Sequence, residues 1–245
     1  MNELNDKLTR LIEKSGQKLL ERQYKNLLTY ASLVTEYGQN VNLVSKKSLP
    51  DFIEDQIGDA LSLVPVIIKQ YPKNQSLIGL NLIDVGTGAG LPGLVLAILF
   101  ENLKVSLLDS NLKKINFLNL AIANLEWSNT PNTILGRAEE LAHQPKYREH
   151  FDFATARALS SVKVALELTT PYLKPRGLFL IQKTSTKLES ELKESANLLK
   201  LLNCEQIGIL EAYPNSHVKE HKILIVEKQK ATAKEYPRKW TNIIN

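Results

Sequence analysis

Apolar positions follow two different spacings along this chain of 245 residues. Near the N-terminus they recur at helical spacing, in two groups: Leu4, Leu8, Leu11 and Ile12, then Tyr24, Leu27, Leu28, Ala31, Val34 and Tyr37. Further on, short apolar runs alternate with amphipathic segments, which is typical of strands joined by helices. The pattern predicts a helical N-terminal extension over residues 1–75, with its apolar stripes facing an α/β domain over 76–230. The polar segment 71–76 is the predicted boundary.

The α/β domain contains apolar segments with the length and composition of strands: residues 80–85, 104–108, 132–136, 151–156, 178–181, 205–213 and 222–227. A Pro/Gly turn over 171–177 precedes the fifth segment, and an amphipathic helix over 187–203 follows it. The last two segments are predicted to pair as an antiparallel hairpin at the edge of the sheet. The expected fold is therefore α/β, with a seven-stranded, mostly parallel sheet.

The loop after the first predicted strand is rich in glycine. The strand carries Asp84 near its end and leads into Gly86, Gly88 and Gly90. Glycine lets the backbone turn sharply and approach a ligand closely, because no Cβ intrudes. Pro92 suits the first turn of a following helix, whose amides favour an anionic group. The loop therefore predicts a site for a nucleotide-like ligand.

Two cofactor classes compete for this loop. Residues 88–93 fit the dinucleotide pattern G-x-G-x-x-G, which alone is weak evidence for a nicotinamide cofactor. The carboxylate of Asp84 would repel a pyrophosphate but suits a ligand with an ammonium and a sulfonium group. S-adenosylmethionine carries both cations, together with a carboxylate for the helix amides. The D-x-G-x-G-x-G arrangement also resembles the first motif of class I (Rossmann-like) methyltransferases, so we favour S-adenosylmethionine.

The second predicted strand ends at another acid, Asp109, where either cofactor class binds its ribose hydroxyls. Asp109, Ser110 and Asn111 open an amphipathic helix. Its predicted buried side consists of Ile115, Phe117, Leu118 and Ala121. The alternative is that Asp109 or Ser110 merely caps this helix, and both roles can hold together.

Two further strand ends carry candidate side chains. The Ala138 amide and the Glu139 side chain follow the third strand, where an adenine would lie; the alternative is that the acids simply favour a helix N-terminus. Arg157 ends the fourth strand, where ligands of open α/β sheets gather. It can neutralise a cofactor carboxylate, hold an RNA phosphate, or pair with Glu139.

Four pieces of sequence occur in an order and spacing that resemble one family: residues 84–93 (Asp-Val-Gly-Thr-Gly-Ala-Gly-Leu-Pro-Gly), 107–110 (Leu-Leu-Asp-Ser), 136–140 (Gly-Arg-Ala-Glu-Glu) and 155–158 (Thr-Ala-Arg-Ala). Together they resemble the glucose-inhibited division protein B family, the RsmG-type methyltransferases of small-subunit ribosomal RNA. Residues 37–44 and 236–239 resemble its N-terminal and C-terminal signatures. The resemblance spans residues 27–239.

The resemblance implies methylation of N7 of a single guanine in the 530 loop of 16S rRNA. It implies cofactor contacts at Gly86, Leu91, the Asp109-Ser110-Asn111 turn, Ala138, Glu139 and Arg157. Two departures stand out. Asp55-Gln56 replaces an Arg-His pair, so two cationic or hydrogen-bonding groups that could contact RNA are lost, and Trp240-Thr241-Asn242 replaces a Gly/Pro/Lys-rich end.

The implied reaction requires little acid–base catalysis from the protein. Guanine N7 has a free lone pair, and a sulfonium is an activated leaving group, so no general base and no single catalytic carboxylate are expected. Arg157 and Lys183 are the candidates for positioning the substrate. Lys183 can donate to guanine O6 or to a phosphate, although a lysine at a strand end can also be a plain surface charge.

The composition of the chain limits its possible partners, disulfides, metal sites and location. A net charge of +5 fits an acidic partner such as 16S rRNA or the small ribosomal subunit, and the basic residues partly concentrate in a C-terminal tail, 231–245. One cysteine, Cys204, excludes an internal disulfide. His217 and His221 lack the partners of a zinc site, and no apolar segment predicts a signal or a membrane span. We expect a cytoplasmic, monomeric enzyme without metal. Methylation of a small molecule or protein, and a non-catalytic RNA-binding protein, are the alternatives.

Overall fold

The computed structural model describes residues 2–41, 43, 51–70, 77–157, 159–211 and 221–244. The predicted boundary at 71–76 lies outside these residues, as do His217, Ala158, the end of the predicted sixth strand and parts of the signature at 37–44.

The sheet has seven strands: β1 (Asn81–Val85), β2 (Lys104–Asp109), β3 (Asn132–Leu135), β4 (Phe151–Arg157), β5 (Leu173–Thr184), β6 (Cys204–Glu211) and β7 (His221–Lys228). Their order is β3-β2-β1-β4-β5-β7-β6. The first five strands are parallel to one another, whereas β7 pairs antiparallel with both β5 and β6. The predicted α/β fold with a mostly parallel sheet and a closing antiparallel hairpin is therefore confirmed.

The helices are α1 (Asn2–Ser15), α2 (Glu21–Val41), α3 (Gly58–Leu61), α4 (Leu63–Gln70), α5 (Gly93–Leu99), α6 (Leu112–Ala123), α7 (Ala138–Leu141), α8 (Val162–Thr169), α9 (Ser185–Leu201) and α10 (Trp240–Ile243). A π-helical turn, Phe52–Ile57, precedes α3, and a 3₁₀ turn, Thr170–Tyr172, follows α8.

Helices cover both faces of the sheet because its strands are apolar on both sides. Leu82 packs in a core with the N-terminal helices, α5 and α6, whereas the neighbouring Ile83 packs in a second core with α8 and α9. Successive strand residues point to opposite faces, so β1 contributes to both cores. The predicted buried side of α6 is buried as expected.

The N-terminal helices are part of the first core and do not stand apart from the α/β domain. Leu8, Leu27 and Val34 are fully buried there. The Tyr30 hydroxyl donates a 2.8 Å hydrogen bond to the carbonyl of Ala89, which lies in the glycine loop. Helix α2 therefore supports that loop directly.

Strand β5 begins earlier than the sequence predicts. The segment expected as a Pro/Gly turn forms the start of β5, with an irregular register between Phe151 and Phe153 of β4. Arg176 adopts a φ of 71°, and a Cβ on Gly177 would lie 2.9 Å from the Lys174 carbonyl oxygen. The turn residues thus form an irregularity within the strand, where β5 advances by five residues, Leu173 to Leu178, while β4 advances by two.

The predicted basic tail is packed against the domain by polar contacts. Arg238 donates to both carboxylate oxygens of the fully buried Glu167, at 2.8 and 2.7 Å. Arg148 donates to the carbonyls of Thr232 and Ala233, both at distances below 3 Å. Ile243 of α10 is 1% exposed in the second core.

Candidate active site

A cavity of about 380 Å³ opens at the carboxyl ends of β1 to β4; we call it the first cavity. It is lined by Leu43, Val85, Gly86, Thr87, Gly88, Ala89, Leu91, Leu108, Asp109, Ser110, Lys114, Gly136, Arg137, Ala138, Glu139, Arg157, Leu159, Leu168 and Trp240. Among the predicted site residues, Gly86, Gly88, Leu91, Asp109, Ser110, Ala138, Glu139 and Arg157 meet here. Asp84, Asn111 and Lys183 do not line it.

The glycine loop is fixed to the sheet by its own backbone. The amides of Gly86 and Thr87 both donate to the Leu108 carbonyl, at 2.8 and 3.0 Å. Gly86 and Gly88 have φ values of 70° and 62°, which side chains rarely adopt. A Cβ on Gly86 would approach Leu159 to 2.8 Å, whereas one on Gly88 would meet nothing closer than 3.9 Å. The loop is therefore tightly packed at Gly86 and open at Gly88.

The carboxylate of Asp84 does not face the cavity, so the predicted ligand contact is wrong. Asp84 is fully buried and accepts hydrogen bonds from the Thr155 hydroxyl, the Thr87 hydroxyl and the Gly93 amide, at 2.8, 2.6 and 2.9 Å. Burial raises the pKa of Asp84, and the three hydrogen bonds partly oppose that rise. Asp84 ties the loop to β4 and α5.

The amides at the start of α5 are also not available to a ligand, contrary to the prediction. The Gly93 amide donates to Asp84, and the Leu94 amide donates to the Gly90 carbonyl at 2.7 Å. The anion that the helix start attracts is therefore the protein's own carboxylate. Gly93 has a steric role as well, since a Cβ there would lie 2.6 Å from the Asp84 Cβ.

Asp109 lies at the end of β2 and connects two parts of the wall. One carboxylate oxygen accepts from the Gly88 amide and the other from the Asn111 amide, each at 2.9 Å. The Lys114 Nζ lies 3.7 Å from the first of these oxygens. The side chain of Asn111, not that of Asp109 or Ser110, caps α6 by accepting from the Lys113 amide. Asn111 thus caps α6, while its neighbours Asp109 and Ser110 line the cavity.

The wall after β3 combines backbone, charge and an aromatic ring. The Tyr172 hydroxyl donates a 2.7 Å hydrogen bond to the Ala138 carbonyl and fixes the start of α7. The Glu139 carboxylate accepts from the Arg137 Nε at 2.9 Å. The Arg137 guanidinium lies 5.2 Å from the ring centroid of Trp240. Sequence reasoning missed Trp240; the one available signal was an aromatic residue in a basic tail.

Arg157 ends β4 and makes contacts different from the predicted pair with Glu139. Its guanidinium donates to the Gln56 side chain at 2.5 Å and to the Asp59 carboxylate at 3.4 Å. The other Asp59 oxygen lies 3.1 Å from the His221 Nδ1. This hydrogen bond to Asp59 is the main reason why the pKa of His221 is raised, although burial opposes it.

A second cavity of about 350 Å³ shares Arg157 and Leu159 with the first cavity. It is also lined by Gln56, Asp59, Ser160, Gln182, Lys183, Thr184 and His221. Lys183 lies within β5, and its Nζ donates to the Ser160 carbonyl at 2.5 Å and lies 3.0 Å from the Glu191 carboxylate. Gln56, which belongs to the Asp55-Gln56 departure from the family pattern, thus lines this second cavity.

Within the described part of the chain, no three His, Cys, Asp or Glu side chains are grouped so that they could hold a metal ion. None of the described helices has the length and apolar character that a membrane crossing requires.

Several solved structures share this fold at low sequence identity. P. horikoshii TYW2 in complex with MeSAdo aligns with a TM-score of 0.50 at 13% identity, over 73% of this chain and 63% of that one. The geranyl diphosphate C-methyltransferase of Streptomyces coelicolor A3(2) aligns with a TM-score of 0.50 at 10% identity, over 69% of this chain and 79% of that one. The fold is that of the class I, Rossmann-like methyltransferases.

The family follows from sequence. A family model described as rRNA small subunit methyltransferase G matches residues 23–219, and this chain belongs to that family. A protein of that name from Clostridium botulinum (strain Alaska E43 / Type E3) is 35% identical over 238 residues, which cover 97% of this chain and 96% of the relative. Its namesake from Clostridium beijerinckii is 35% identical over 234 residues, 96% and 94% of the two chains.

Family membership decides between the two classes of enzyme that the glycine loop left open. The relatives are methyltransferases of ribosomal RNA, so the methyltransferase interpretation is confirmed and the nicotinamide alternative is wrong.

Proposed function

We propose that this protein transfers a methyl group from S-adenosylmethionine directly, in line, to N7 of a single guanine in the 530 loop of 16S rRNA. The observation that carries the proposal is the pair of adjoining cavities that share Arg157 and Leu159. A reaction between two bound molecules needs two such sites with a common border. Membership of the rRNA small subunit methyltransferase G family supports the assignment of the substrate.

The first cavity fits the cofactor. Its volume of about 380 Å³ falls in the range of small-molecule sites, ~300–1,000 Å³. Asp109 offers a carboxylate to the ribose hydroxyls, and the Ala138 amide and Glu139 would bind the adenine edge. Gly86, Gly88 and Leu91, with Ser110 beside the ribose, form the rest of the cradle. Two structural neighbours contain related molecules, MeSAdo and S-adenosyl-L-homocysteine.

The cofactor carboxylate needs a cation, because the amides at the start of α5 are occupied. Arg157 and Lys114 both line the first cavity and can supply it. Arg157 also lines the second cavity, so one guanidinium lies between the cofactor site and the RNA site.

We assign the target base to the second cavity. S-adenosylmethionine supplies an activated methyl group on a sulfonium, and guanine N7 has no proton to lose, so the protein needs no general base. Lys183 and Arg157 can donate to guanine O6, which neighbours N7, or to a phosphate. Catalysis then depends on alignment, which can contribute at most ~7–11 kcal/mol.

The replacement of Arg-His by Asp55-Gln56 alters the second cavity, but a polar side chain still lines it at Gln56. Gln56 holds the Arg157 guanidinium, so the position keeps a hydrogen-bonding role at the site. A ribosomal substrate implies that the enzyme acts in the cytoplasm, and we propose that it does so as a monomer.

The test uses small ribosomal subunits from cells that lack this gene and S-adenosylmethionine tritiated in its methyl group. After incubation, the RNA is cleaved chemically at N7-methylguanine and the label is mapped. We expect label at one guanine of the 530 loop. Label at another atom or another loop would contradict the proposal, and an unlabelled RNA together with measurable cofactor binding would favour a protein or small-molecule substrate.

A further inference from the structure

The C-terminal segment, which we define as residues 229–244, places an aromatic side chain on the rim of the first cavity. Trp240 lines this cavity next to Arg137, Ala138 and Glu139. We propose that Trp240 is a cofactor-binding residue, whose indole closes the adenine end of the first cavity. This inference rests on the proposed use of S-adenosylmethionine and adds a binding residue to that site.

Contacts on both sides of Trp240 hold it in place. Two residues before it, Arg238 donates through its side chain and its amide to Glu167, which is fully buried. Three residues after it, Ile243 is 1% exposed in the second core. Trp240 itself packs partly buried against that core. The indole is therefore positioned before any ligand binds, which lowers the entropic cost of binding.

Two further contacts fix the approach of the segment to the cavity. The His143 Nε2 lies 2.9 Å from the Pro237 carbonyl oxygen, and Arg148 donates to the Tyr236 carbonyl at 2.9 Å. Both donors follow α7, and the first residues of α7, Ala138 and Glu139, line the first cavity. The segment is thus attached to the stretch of chain that directly follows this wall.

The chemistry of the rim suits a flat nitrogen heterocycle. An indole offers a large apolar surface and a π face, on which any nucleobase can stack. The Arg137 guanidinium lies 5.2 Å from the Trp240 ring centroid and donates to Glu139 at 2.9 Å. The Trp240 indole, the Arg137 guanidinium and the Glu139 carboxylate therefore form one continuous rim. In this rim, Glu139 can bind the edge of the base while Trp240 covers its face.

The chain contains two tryptophans, which makes the proposal testable by fluorescence. Trp127 donates to the Ile122 carbonyl at 2.8 Å, packs against the first core, and does not line either cavity. The Trp127→Phe variant therefore reports on Trp240 alone, and Trp240→Phe is the matched control that reports on Trp127 alone. Each is titrated with S-adenosyl-L-homocysteine, and its affinity is measured in parallel by calorimetry.

We expect a saturable change in the emission of Trp127→Phe and no change in that of Trp240→Phe. Trp240→Ala should weaken the affinity about tenfold, equivalent to ~1.4 kcal/mol, and Trp240→Phe should retain most of it. Binding to the wild type by calorimetry, with unchanged Trp240 emission and an affinity of Trp240→Ala within twofold, would overturn this inference and leave the proposed cofactor standing. A wild-type protein that binds no S-adenosyl-L-homocysteine would instead overturn the proposed cofactor, and this inference with it.

Discussion

The two adjoining cavities are built in different ways. The glycine-loop side of the first cavity is built from backbone amides, glycines and the two buried carboxylates of Asp84 and Asp109, all contributed by β1, β2 and the loops that follow them. The second cavity is made of polar and charged side chains from segments far apart in the chain, such as Asp59, Arg157 and His221. A rigid backbone cradle suits a cofactor of constant shape. A network of adjustable side chains suits a base delivered by a large RNA.

The largest effect is expected from the residue that holds the backbone cradle together. Asp84→Ala would leave the Thr87 and Thr155 hydroxyls and the Gly93 amide without their acceptor. Each buried unpaired group costs about 1–3 kcal/mol, so we expect a loss of about 3 kcal/mol or more in the free energy of unfolding. Urea denaturation measures it.

The matched control is Glu189→Ala, which removes an exposed carboxylate from α9. It should change the unfolding free energy by less than ~0.5 kcal/mol. Equal stability of Asp84→Ala and the wild type would refute the role of Asp84 as the tie between the loop, β4 and α5.

The next largest effect is expected on the kinetics with ribosomal subunits, and it distinguishes the second cavity from the first. Lys183→Ala removes a charged donor that lines the second cavity alone. We expect kcat/KM for small ribosomal subunits to fall about tenfold or more, since a charged hydrogen bond contributes roughly 1.5–3 kcal/mol. The KM for S-adenosylmethionine should stay the same.

Lys187→Ala provides the control, because Lys187 is exposed on α9, near Lys183 in sequence. It tests whether any lost lysine in this region weakens binding to RNA. Unchanged methylation by Lys183→Ala would remove this residue from the site.

A smaller effect is expected in the first cavity. Glu139→Gln keeps the shape of the side chain but removes its charge, so its contact to Arg137 and the proposed contact to the adenine edge should weaken. The KM for S-adenosylmethionine should rise about five- to tenfold with kcat unchanged, as expected for a contact made equally in ground and transition states. Glu140→Gln, one position further and exposed, should have no effect. A collapse of kcat at saturating cofactor would contradict the assignment.

The smallest effect is expected on how the stability of the fold depends on pH, through His221. The hydrogen bond to Asp59 raises the pKa of His221 above its ordinary 6.5, while burial and Arg157 oppose the rise and Asp55 adds to it. A raised pKa in the folded state means that the protonated form stabilises the fold fully below pH 6.5. This contribution is lost as the pH rises through the folded-state pKa.

Histidine NMR titration, with His221→Gln to assign the resonance, measures this pKa directly. We expect a value above 6.5 and a stability that declines with pH less steeply in His221→Gln than in the wild type. A His221 pKa below 6.5 would show that burial outweighs Asp59.

The difference between the cavities also explains what the sequence could predict. Strand ends, the glycine loop and the buried side of α6 were predictable because periodicity and glycine spacing are local signals. The partners of Asp84 were not, since an acid at a strand end looks the same whether it faces a ligand or three buried donors. Asp59 and Arg157 are 98 residues apart in the sequence, so no local pattern predicts their contact. Trp240 became a cavity residue only through the packing of Arg238 and Ile243.

If the first cavity binds the cofactor and the second binds the RNA, the two substrates can be separated kinetically. A steady-state comparison of Lys183→Ala and Glu139→Gln, in which S-adenosylmethionine and small ribosomal subunits are varied in turn, tests this division. We predict that Lys183→Ala changes the parameters for the subunits alone and Glu139→Gln the KM for the cofactor alone. Two variants that shift both substrates in the same proportion would contradict the division.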